Sequence, residues 1–82
     1  MDLDLERKHL TETDRHIAVA KRRVEQQKKI IEKLAQGGHE TKVAKSLLSV
    51  MERSLDAFEH HRKVIVETLE TLRPQAGGRQ SS

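Results

Sequence analysis

Along the first half of the chain a branched apolar residue returns at every seventh position: Leu3, Leu10, Ile17, Val24 and Ile31, with Leu34 closing the series. Two turns of an α-helix carry close to seven residues, so such a row is one edge of a long helix that packs against another. The second half carries a matching row, Ala44, Leu48, Met51, Leu55, Phe58, Arg62, Ile65, Leu69 and Leu72, stepping alternately by four and three. Between the two rows stands Gln36-Gly37-Gly38-His39. The pattern predicts an all-α, coiled-coil-like antiparallel hairpin of two helices.

Asp2 or Asp4 is placed to cap the first helix, because a short side-chain oxygen there accepts from an otherwise unpaired amide. The first helix is expected over about 3–36, the turn over 37–40 and the second helix over about 41–73. Gly37 is expected to supply the left-handed residue that closes the first helix, with Gly38 loosening the turn, and Thr41 to cap the second. Pro74 disfavours helical geometry in its predecessor and ends the second helix there. Residues 1–73 then form one hairpin, each helix roughly 50 Å long at 1.5 Å per residue. The remainder, 74–82, has no periodicity and is expected to be a flexible tail.

The two stripes are not equivalent. Three residues after each heptad position of the first helix come Glu6, Thr13, Ala20, Gln27 and Leu34, mostly small or polar, whereas Val43, Leu47, Val50, Ala57 and Val64 widen the apolar face of the second. Two helices touch along one line only, which leaves part of each apolar face wet, and chains this small usually need a staple or a partner. The 82 residues contain no cysteine, so the staple is not a disulfide. Self-association is expected, most simply a two-fold homodimer of hairpins closing into a four-helix bundle, with the broader second helices toward its centre. The expected oligomer seam is Leu10, Ile17, Val24, Ile31, Leu48, Met51, Leu55, Phe58, Ile65 and Leu69.

If the chain folds back at Gly37-Gly38, equal rise in both helices sets Asp14 level with Arg62 and His16 level with His60. A carboxylate beside Arg62 accounts for the one charged break in the second apolar row, and a polar layer of this kind more often fixes register than performs chemistry. The same crossing brings imidazoles from both helices together, with His9 and His16 on one face and His60 and His61 arriving from the other. Imidazoles and carboxylates crossing between helices are how bundles hold transition metals. The Glu-x-x-His motif of di-iron bundles is missing, so no metal or other cofactor is expected, and His16 and His60 are the residues that would take one. Association is expected to respond to pH where imidazole titrates.

Charge sharpens the picture. Residues 21–45 hold Lys21, Arg22, Arg23, Lys28, Lys29, Lys33, Lys42 and Lys45 against three glutamates, a net of +5, while the rest of the chain has eight basic and ten acidic residues. The rod is electrically polar, basic at its turn. A basic tip can grip the phosphates of RNA or DNA, or an acidic protein, although charges at helical spacing also serve simply to solvate exposed faces.

Catalytic chemistry is hard to place. There is no cysteine, no glycine-rich phosphate loop, and no nucleophile with a base and an orienting group, so the chain is not expected to be an enzyme. The longest aliphatic run is Val64-Ile65-Val66, far short of a membrane span, and the acidic start lacks the basic and apolar segments of a secretory signal, which points to the cytoplasm. With Phe58 the only aromatic residue, base stacking and membrane-interface anchoring are both poorly served. The expected function is that of a small binding or regulatory module acting through helix–helix protein association; the alternatives are nucleic-acid binding by the basic turn end and a histidine-based metal-binding bundle.

Asp14-Arg15-His16-Ile17-Ala18, followed by Gly38-His39-Glu40-Thr41-Lys42-Val43-Ala44, Leu47-Leu48 and His61-Arg62, resembles small helical-hairpin proteins of rhizobia and related alphaproteobacteria. That resemblance spans about residues 9–70 and implies a bacterial hairpin without implying an activity. In layout and size alone the chain is also similar to Rop, whose paired hairpins form an antiparallel four-helix bundle that binds paired RNA loops. No Rop residue motif can be placed here.

Overall fold

A computed structural model of the protein describes residues 3–72, which form two α-helices, α1 (Leu3–Gln36) and α2 (Lys42–Leu72). They pack side by side as an antiparallel hairpin. Asp2, the C-terminal end of the second helix at Arg73 and the tail expected over 74–82 lie outside the described residues.

The turn closes one residue later than expected. The Gly37 N–H still donates to the Lys33 carbonyl at 3.1 Å, an ordinary helical bond, so Gly37 remains right-handed. Beyond it the Gly38 N–H donates to Ala35 O at 3.0 Å and the His39 N–H to Leu34 O at 2.8 Å. Bonds reaching back three and five residues are the paired closure of a helix that ends on a left-handed residue. That residue is Gly38, with φ +73°.

The start of α2 also departs from expectation. Thr41 occupies the capping position, since its carbonyl accepts the first bond of the helix from the Lys45 N–H at 2.9 Å. The capping oxygen, however, belongs to Glu40, whose Oε1 accepts from both the Thr41 and Lys42 amides at 2.9 Å. A carboxylate one residue upstream reaches two orphan donors and adds a negative charge at the positive end of the helix, which a threonine hydroxyl does not.

Burial follows the heptads only in part. Ile17, Val24 and Ile65 are buried, and Leu10, Ile31, Leu48, Met51, Leu55, Phe58 and Leu69 are half-buried. The packing of α1 on α2 thus covers three of the ten seam residues, and the other seven keep part of their surface exposed. Alongside them Glu6, Thr13 and Gln27 are buried as deeply as the best-covered aliphatic residues. The polar second row of α1 therefore faces α2. Gln27 meets the requirement this imposes by donating its Nε2–H to the Ala44 carbonyl at 3.0 Å, and Glu6 keeps its carboxylate 3.7 Å from His9 Nδ1.

Substituting Gly38→Ala forces a Cβ into left-handed geometry and should cost about 1–2 kcal/mol. Gly37→Ala should cost less, because its added Cβ would meet the His39 ring, 2.8 Å from Cδ2, and that side chain is free to swing away. Urea midpoints of the two variants check the order, and a larger loss for Gly37→Ala would contradict the assigned closure.

Candidate interaction surface

An antiparallel pair of helices has two flanks, one on each side of the line where the helices touch. On one of them lie positions 5, 9, 12, 16, 19, 23, 26 and 30 of α1 beside 43, 47, 50, 54, 57, 61, 64 and 68 of α2, again stepping by four and three. Among the described residues the large aliphatic side chains that stay exposed are Leu5, Ile30, Val43, Leu47, Val50 and Val64, each 44–81% accessible. All six belong to this flank.

Near the middle of the rod the same flank is notched by an open groove of about 470 Å³, lined by His16, Val19 and Ala20 from α1 and by Val50, Met51 and Ser54 from α2. The notch exists because Ala20 and Ser54 are short where their heptad neighbours are long. Arg23 and Phe58 complete its wall. The opposite flank is different in kind: Lys21, Glu25 and Lys28 face Glu52 and Asp56 across Val24 and Leu55. The large exposed aliphatic residues thus lie on one flank, interspersed in α1 with His9, Glu12, Arg23 and Gln26, and the other flank is charged.

The histidines divide according to these flanks. His16 packs its ring against Phe58, centroids 5.5 Å apart and planes tilted by 46°. His60 is level with His16 but sits on the outer back of α2, so the expected approach of the two does not occur; equal height along a hairpin does not imply facing directions. Among the described residues no group of three histidine, aspartate or glutamate side chains is arranged to hold a metal ion.

The basic residues of the turn end do not share a face. Lys21, Lys28, Lys42 and Lys45 lie toward the charged flank, Arg22 and Lys29 on the back of α1, and Arg23 and Lys33 toward the apolar flank, so the positive charge encircles the tip. Lys28 Nζ is engaged with Glu25 Oε2 at 3.3 Å. The expected pairing of Arg62 with Asp14 is present, Nε to Oδ1 at 2.5 Å, with both side chains close to half exposed. It lies at the edge of the charged flank, not in a buried layer, and its site is one where ion pairs are worth little.

Sequence reasoning had identified the α2 half of the apolar flank but not its α1 half, Leu5, Val19 and Ile30. The signal was present: writing both helices in heptads and pairing like flanks, as antiparallel packing requires, puts these three beside Thr71, Ala57 and Leu47. Among the described residues no helix is long and apolar enough to cross a membrane. No protein-family model, curated protein or solved structure matches this chain.

Because the Asp14–Arg62 pair is half solvated, Asp14→Asn should lower stability by less than about 1 kcal/mol, and by less still in high salt. Paired thermal melts at low and high ionic strength measure this; a loss of several kcal/mol would show that the pair holds the register.

Proposed function

We propose that the chain is a small non-enzymatic association module that works by packing its apolar flank against other helices. The observation that carries this is the confinement of every large exposed aliphatic side chain among the described residues to that one flank, where scattered exposure would carry no meaning. Charge covers the opposite flank, so the asymmetry is not a general shortage of polar residues.

Magnitudes set the strength to look for. Covering the exposed half of a valine or leucine is worth about 1 kcal/mol, so six such residues on each of two surfaces offer on the order of 10 kcal/mol. Association itself costs at least about 4 kcal/mol in lost freedom. The remainder corresponds to affinities between the millimolar and micromolar range.

Nucleic-acid binding by the basic turn end stands second, because charge that encircles a tip presents no single face to a duplex groove. The two are separable. With Leu47→Glu and Val50→Glu together, sedimentation equilibrium at tens to hundreds of micromolar should show association lost while helicity at high concentration is kept. Binding of an RNA hairpin at low salt should be unaffected if it occurs at all, and a steep salt dependence of such binding would promote the phosphate reading. A wild-type chain that stays monomeric throughout that range without any partner helix bound would end the proposal.

A further inference from the structure

We infer that the occupant of the apolar flank is a second copy of this chain, laid antiparallel, so that a two-fold axis crosses the groove at mid-rod and the two turns point to opposite ends. The inference rests on the association proposed above and adds its partner and its topology. Face-to-face packing of two such hairpins allows two two-fold arrangements. In one the axis runs along the rods and both turns lie at the same end; in the other the axis crosses the rods and the turns lie at opposite ends.

Charge separates the two. The segment 21–45, at the turn end, carries eight basic and three acidic residues, while the other described residues, 3–20 and 46–72, carry six basic and nine acidic. Turns at the same end would bring two strongly positive tips together. Turns at opposite ends set each positive tip against the acidic half of the other copy.

The register of the flank separates them independently. With turns together, α1 lies over α2 of the second copy, and equal rise places Gln26 over Val50 and Glu12 over Val64, although Ile30 then lies over Leu47 and Val19 over Ala57. Val50 and Val64, two of the exposed aliphatic residues, would then meet polar ones. With turns apart, each helix lies over its own copy. Val50 meets Val64 of the second copy, and Val64 meets its Val50. Val19 meets Val19 on the axis, and Ala57, level with it, lies beside Ala57 of the second copy where the α2 helices approach. Arg23 then falls about one turn from Glu12 of the second copy, within reach of a long side chain. The mid-rod groove is accordingly where the axis emerges, and the small residues Ala20, Ser54 and Ala57 are what let the copies close upon it.

The absence of cysteine makes the test direct. Single variants His39→Cys, at the turn, and Ala18→Cys, at mid-rod height on the exposed charged flank, are spin-labelled, and label-to-label distances are measured by double electron–electron resonance at a concentration where sedimentation shows the dimer. The expected result is a separation of roughly 50–60 Å for the turn label and under about 30 Å for the mid-rod label, from the 1.5 Å rise, the helix diameter and the 8–10 Å spacing of packed helices. A dimer whose turn labels lie within about 20 Å of each other would overturn the topology and leave the association proposal standing. Absence of any dipolar coupling together with a monomeric mass would overturn both.

Discussion

Two helices packed against each other have no interior. Each offers the other a single stripe, and every residue on that stripe is still within one side chain of solvent. The numbers reflect this: Ile17, Val24 and Ile65 are the apolar residues that become buried, and no side chain among the described residues falls below 2% exposure. Every other property of the molecule follows from having a line of contact where larger folds have a volume, because a line leaves two flanks whose chemistry remains to be assigned.

The composition of that line is unexpected for a coiled coil. In α1 the row at 6, 13, 20, 27 and 34 is largely polar or small, yet it faces α2, while aliphatic residues stand outside it on the apolar flank. Gln27 shows how this is tolerated, its amide bonded to the Ala44 carbonyl near the start of α2. A buried amide satisfied by one specific backbone group penalises a slip of the helices, since a shift would leave the Gln27 amide desolvated without that partner. The inner contact thus contributes register more than burial. The hairpin holds its alignment near the turn through Gln27 and keeps much of its aliphatic surface for the outside.

The architecture was legible because its signals are local and periodic. The seven-residue rows name the helices, and the paired glycines name the turn, without reference to anything distant in the chain. The Asp14–Arg62 pair was also legible, since equal rise is enough to put residues at one height. What was not legible required knowing direction as well as height: His60 shares a level with His16 but looks elsewhere, and Leu5, Val19 and Ile30 look ordinary until α1 and α2 are set flank to flank. The turn details failed for a different reason. Either of two adjacent glycines can adopt the left-handed conformation, and either Glu40 or Thr41 can offer an oxygen to the first amides of α2, so composition alone could not separate neighbours that only hydrogen-bond geometry tells apart.

A flank whose aliphatic residues are interrupted by polar ones and notched at mid-rod carries more information than a plain greasy stripe. A plain stripe accepts any amphipathic helix at any register, because sliding by a heptad costs little. The short residues at Ala20, Ser54 and Ala57 give closest approach at one height only, and the charge difference between the two halves of the rod gives that approach a direction. In the proposed association, shape would fix where along the rod a neighbour sits and charge which way it points, while the aliphatic residues would supply the attraction without choosing among registers. Specificity in such a small chain therefore comes from what is missing from the stripe, and a substitution that fills the notch would loosen selectivity even where it adds apolar surface.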